Sequence, residues 1–172
     1  MLPIIQSTMQ SVIAHVPPAS KDAFDRISLA GKKILFDPKF HQNMELVKNP
    51  ASRQDPVDTI STGILGLMWI LISHAGLKLA NMNAAQLMPY GCAASVLMLD
   101  VMDFANQSYG IPVDAQMIGD TQEKIFDKLY KLMHVSPEQL QSAVHKGAGE
   151  IQAHNQGKAQ PAGGLLSQPG AQ

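Results

Sequence analysis

The chain has 172 residues and a formal net charge of −1, with ten methionines, one tryptophan and a single cysteine. Near-neutral charge, with guanidinium groups only at Arg26 and Arg53, excludes the electrostatic footprint of a nucleic-acid binder, and no sequence-specific nucleic-acid contact is expected. A lone Cys92 excludes an internal disulfide framework and any multi-cysteine zinc site; it reads as a small core residue.

The punctuation along the chain is helical. Ile4, Ile5, Met9, Val12, Ile13 and Val16 recur at helical spacing, until Pro17-Pro18 stops the segment. This start lacks the basic opening and cleavage site of a secretory signal, so synthesis and folding in a reducing cytoplasm are expected. Ser20 is placed to cap a second helix carrying Ala23, Phe24, Ile27 and Leu29, which Gly31 is expected to interrupt or end. "DPKFHQNMELVKNP" reads as a third helix, with Asp37 as cap, Pro38 at the first helical position and Pro50 as closure. Asp55 and Pro56 repeat the device and open the most apolar stretch, "STGILGLMWILISHAGLKLA". After a bend in "GLKLANMN", a long helix runs from about Asn83 to Ser108, with Gly110 as its stop and Gln86 and Pro89 as interruptions. Asp114 starts a further helix with Ile118, Ile125, Leu129 and Leu132 inward, and Ser136, Pro137 and Gln139 start another. The predicted fold is all-α: six or seven helices around a central hydrophobic hairpin. A single domain over residues 1–153 precedes a disordered Gly/Pro/Gln/Ala-rich tail over 154–172.

The hairpin poses the functional question. Ile60 to Gly76 carries no fixed charge, and its length approaches the ~20 apolar residues of a bilayer span. Its partner carries Asp100, Asp103 and Gln107 at i, i+3 and i+7, a polar stripe that is costly at bilayer depth and free on a helix with one wet edge. The reading is therefore a central helix, Pro56 to Gly76, hydrophobic all round and wrapped by amphipathic neighbours. Ile60, Ile64, Leu67 and Leu71 form one apolar stripe on it; with Trp69, and with Leu97 and Val101 on the partner, they form the candidate association or membrane surface.

Chemistry is harder to find. The six histidines form no helical metal motif. His41 and Glu45 share a helix face and read as a solvated pair rather than metal ligands; His74 reads as a hydrogen-bonded interior histidine. No nucleophile elbow, phosphate loop or dinucleotide fingerprint occurs, so no catalytic residue, cofactor or metal is assigned. Methionines from Met44 to Met133 spread over several helices as adaptable core filling.

Three stretches together resemble small virion proteins of tailed bacteriophages: "ISLAGKKILFDPKFHQNMELVKNP" running into "DTISTGILGLMWILI", the hairpin continuing into "LMLDVMDFANQSYG", and the terminal "PAGGLLSQPGAQ". The resemblance implies a non-enzymatic structural or internal (ejection) component of the virion, made in the host cytoplasm. It implies many copies, helical self-association or docking on other virion proteins, and conditional membrane contact. The alternative is a holin-like protein whose hairpin inserts constitutively.

Overall fold

In the computed structural model, which describes residues 1–133, the chain is an all-α bundle, with no strand among the described residues. The helix expected from Ser136, the end of the domain at 153 and the tail over 154–172 lie outside the described residues. Seven α-helices follow in order: α1 (Pro3–Ala14), α2 (Lys21–Leu35), α3 (Pro38–His41), α4 (Glu45–Lys48), α5 (Pro56–His74), α6 (Ala84–Tyr109) and α7 (Ala115–Met133).

Local chemistry sets most of the ends. The Asp37 carboxylate accepts from the Lys39 and Phe40 amides, and that of Asp55 accepts from Asp58, each one residue before a proline at the first helical position. Asn83 and Gln86 bond reciprocally in a capping box, so Gln86 starts α6 instead of interrupting it. Pro89 lies one turn further in and is tolerated without ending the helix. Gly76 and Gly110 close α5 and α6 in the left-handed conformation, at φ of 70° and 66°. Ser20 occupies the expected cap position of α2, but its side chain makes no capping bond.

Two expectations are corrected in the first third. Gly31 does not end α2, which continues to Leu35. It is buried against Leu97, and a Cβ built on Gly31 would clash with Leu97 Cδ1. The glycine is there for close helix approach. The helix expected over "DPKFHQNMELVKNP" is instead two single turns, α3 and α4. The Asn43 side chain donates to the Lys39 carbonyl at 2.8 Å, offering the chain a local alternative to continued helix. Arg53 then donates Nε to the Leu46 carbonyl (2.8 Å) and an Nη to that of Val47 (3.2 Å). Its guanidinium lies 3.7 Å from the Tyr109 ring centre, tying the short helices to the end of α6.

The centre of the bundle is α6, not α5. Seven consecutive residues of α6, Ala93 to Leu99, are buried, which means burial all round the helix. Helices α1, α2 and α5 pack around it, and α7 packs chiefly on α5. A smaller cluster of Val16, Phe24, Ala93 and Val96 joins the ends of α1 and α2 to the first half of α6.

Candidate functional site

α5 carries two faces of different character. Ile60, Ile64, Leu67 and Leu71 are buried in the main core, as are Leu97 and Val101 on α6. Six of the seven residues of the expected association surface are therefore internal packing, because α2, α6 and α7 between them cover that stripe. Trp69 is the exception, with 56% of its surface exposed. It lies on an outer face with Thr62, Gly66 and Ser73, spaced by four, three and four residues and all exposed. No atom comes within 4 Å of a Cβ built on Gly66, so this face is open.

The polar stripe on α6 is not a wet edge. Asp100 and Asp103 are only 11% and 14% exposed at the side chain. Lys32 Nζ of α2 lies 3.0 Å from Asp100 Oδ2, an ion pair outside hydrogen-bond alignment. Burial pushes the Asp100 carboxyl above its usual range, with Lys32 pulling the other way. Asp103 accepts from the Leu2 amide at the start of α1 (3.2 Å) and from Gln107 Nε2 (2.6 Å), and the N-terminal amine stands 3.7 Å away. A carboxylate at that helix start complements its dipole. The two acids thus fasten α2 and the start of α1 to α6.

A second polar cluster had no signature in the sequence. Lys124 and Lys128 of α7 each place Nζ 3.0 Å from Asp58 Oδ1 on α5. Lys128 also donates to Thr62 Oγ1 at 2.7 Å and to the buried Ser61 Oγ at 3.2 Å. The lysine bonds hold the Asp58 carboxyl below the usual range. A lysine engaged by a carboxylate and two hydroxyls is a charged clamp, not a free base, and Ser61 is sealed from substrate. The cluster joins α5 to α7.

Next to Asp58 a half-open cavity of about 420 Å³ lies between the end of α2, the short helices α3 and α4, and α5. Leu35, Phe40, Met44, Leu46, Ile60 and Ile64 supply apolar walls, while Glu45, Asp58, Thr59 and Thr62 are polar. Thr59 donates its hydroxyl to the Ser52 carbonyl at 2.8 Å.

The remaining candidates resolve plainly. His41 and Glu45 fall on separate single-turn helices, and His41 packs edge-on to Phe104, with ring centres 4.6 Å apart. No group of three metal-ligating side chains is assembled among the described residues. His74 is exposed at the end of α5, not interior, since α5 turns its last residues to solvent. Cys92 is half-buried beside the smaller cluster, and burial pushes its thiol up, away from reactivity. Met68, Met82, Met98, Met102 and Met117 are core residues, whereas Met88 is exposed. Comparison with protein-family models, with curated proteins and with solved structures finds no match to this chain.

Proposed function

We propose that this chain is a non-enzymatic virion component of the tailed-phage type that assembles with copies of itself through the outer face of α5. The observation that carries the assembly reading is Trp69, a half-exposed indole on a face where Gly66 and Ser73 are also exposed and carry no charge. Exposed tryptophan on an uncharged surface is the composition of an association site rather than of a solvated helix. The same face supplies both knob and seat. In a two-fold pair of α5 helices, Trp69 of each copy would lie over the bare backbone at Gly66 of the other, a self-complementary contact. The resemblance to phage virion proteins is what supports assembly in a particle. Docking on other virion proteins uses the same surface.

The holin-like alternative keeps one observation in its favour: α5 and α6 are both long and apolar enough to cross a membrane. Against constitutive insertion, α6 is the most enclosed helix, and its two carboxylates are engaged by Lys32 and by the start of α1. Insertion would break those contacts, so membrane entry requires conditions that loosen the bundle.

Quantitative mass spectrometry of purified particles, with sedimentation equilibrium of the full chain, tests the proposal. Stoichiometric presence in particles and self-association lost in Trp69→Ser are expected. Absence from particles, or a Trp69→Ser variant that assembles as the wild type does, overturns it. Immediate insertion of the native chain into liposomes at neutral pH would instead favour the holin-like reading.

A further inference from the structure

We infer that the cavity between α2, α4 and α5 is a binding site for a single-chain amphiphile with a cationic head group. The volume, about 420 Å³, falls in the ~300–1,000 Å³ of small-molecule sites. At the ~30 Å³ that one water takes up in the liquid, it has space for about a dozen non-hydrogen atoms. That is the size of one alkyl chain, too small for a folded partner.

The walls select an alkyl chain. Leu35, Leu46, Ile60 and Ile64 are buried aliphatic residues, and Phe40 and Met44 are partly buried beside them. The outer wall is adaptable, because α3 and α4 are four residues each and a single helical turn has little cooperativity of its own. Met44 sits at the start of that wall, where its unbranched side chain adapts to what it covers.

The mouth selects the head. The only charged side chains lining the cavity, among the described residues, are carboxylates, Glu45 and Asp58. Lys124 and Lys128 hold Asp58 but do not line the cavity. Glu45 has no ion-pair partner among the described residues. Of the hydroxyls, Thr59 donates to the Ser52 carbonyl and Thr62 accepts from Lys128. Asp58 is already paired by two lysines, so the unpaired charge lining the cavity is Glu45. A cationic head is complementary to Glu45.

Gly63 gives a clean way to close the site. It lines the cavity, and no atom lies within 4 Å of a Cβ built on it, so a larger side chain occupies the mouth without a clash at its root. In a helix the change also favours folding.

The test is calorimetric titration of the full chain with decyltrimethylammonium and with decyl sulfate, both below their micelle concentrations. Methyl NMR at Met44, Ile60 and Ile64 locates the bound chain. One-to-one saturation by the cationic probe is expected, about three- to fivefold tighter than by the anionic one, the scale of one partly exposed charge contact. Gly63→Leu should weaken the cationic probe at least about tenfold, the loss of one good contact's worth of burial. Glu45→Gln, a substitution at an exposed position, should bring the two probes to about the same affinity while leaving the chain bound. Absence of saturable one-to-one binding, tighter binding of decyl sulfate, or shifts confined to methyls elsewhere overturns the inference. If Gly63→Leu does not fold, Glu45→Gln alone decides: an unchanged preference between the probes overturns the site.

Discussion

Replacing Gly31 by alanine tests how α2 lies on α6. On an open helix surface the change stabilises, by up to about 1 kcal/mol, through helix propensity. At Gly31 the new methyl meets the fully buried Leu97, with Cδ2 at 3.1 Å and Cγ at 3.3 Å from its centre, and clashes with Cδ1. Leu97 is enclosed in the main core with none of its surface exposed. Either it leaves its rotamer, at about 0.5–1.5 kcal/mol, or the helices part; overpacking of this kind costs about 1–3 kcal/mol. Subtracting the propensity gain leaves a net loss of up to about 2 kcal/mol. In a chain of this length that lowers Tm by up to about 8 °C. Gly119→Ala on α7, where no atom lies within 4 Å of the added carbon, is the matched control and should be neutral or stabilising. Urea and thermal unfolding of the two variants give the comparison directly. The Gly31→Ala, Leu97→Ala cycle should show favourable coupling of about 1 kcal/mol, because the smaller side chain admits the methyl. If Gly31→Ala stabilises as much as Gly119→Ala, α2 and α6 are not in the close contact described.

Further outcomes follow from three named contacts. Lys32→Ala leaves a largely buried carboxylate without its counter-ion and should cost about 1–3 kcal/mol, while Asp100→Asn frees a half-exposed lysine to water and should stay within about 1 kcal/mol of wild type at neutral pH. Because the folded pKa of Asp100 is raised, its contribution is fully present below the usual carboxylate pKa and is lost as pH rises; Asp100→Asn should therefore gain on wild type from acid toward neutral pH, and a gap that shrinks over that range would refute the assignment. Asp58 has the opposite sign: its folded pKa is depressed, so its contribution is present above 3.8 and lost as pH falls, and Asp58→Asn should show a flatter acid limb in pH-dependent unfolding. Arg53→Lys keeps the charge but loses two directed carbonyl bonds and the stacking on Tyr109; amide exchange should accelerate through α3 and α4 by the equivalent of about 1–2 kcal/mol and leave α6 unchanged.

What was legible in the sequence was local. Asp37-Pro38, Asp55-Pro56, Asn83 with Gln86 three residues on, and Gly110 are each decided within one turn of helix, and each is where its chemistry predicts. Gly31 was misread because its reason lies 66 residues away, in Leu97; within its own window it looks only like a breaker. Asp100 and Asp103 were misread for a similar cause. Acids at i and i+3 on an apolar helix look the same whether they face water, a lysine of another helix or the first amides of α1. α5 and α6 are both apolar enough to be central, and only the arrangement of partners buries α6 on all sides and leaves Trp69 outside. Of the candidate surface, Ile60, Ile64, Leu67, Leu71, Leu97 and Val101 pack in the main core and only Trp69 faces out, a division that apolar character alone does not show. The Asp58–Lys128 bond spans 70 residues, and the cavity depends on how two single-turn helices fold back; neither has a spacing to read.

The central claim is that the outer face of α5 is an assembly surface, and the single tryptophan reports on it directly. The measurement is the emission maximum of Trp69 across a dilution series, taken alongside sedimentation. In dilute monomer the indole is half-exposed, and its emission should be red-shifted; it should move to the blue in step with the rise in mass, as the face is covered. Assembly with an unchanged Trp69 spectrum, or a monomer at every concentration, would contradict the claim.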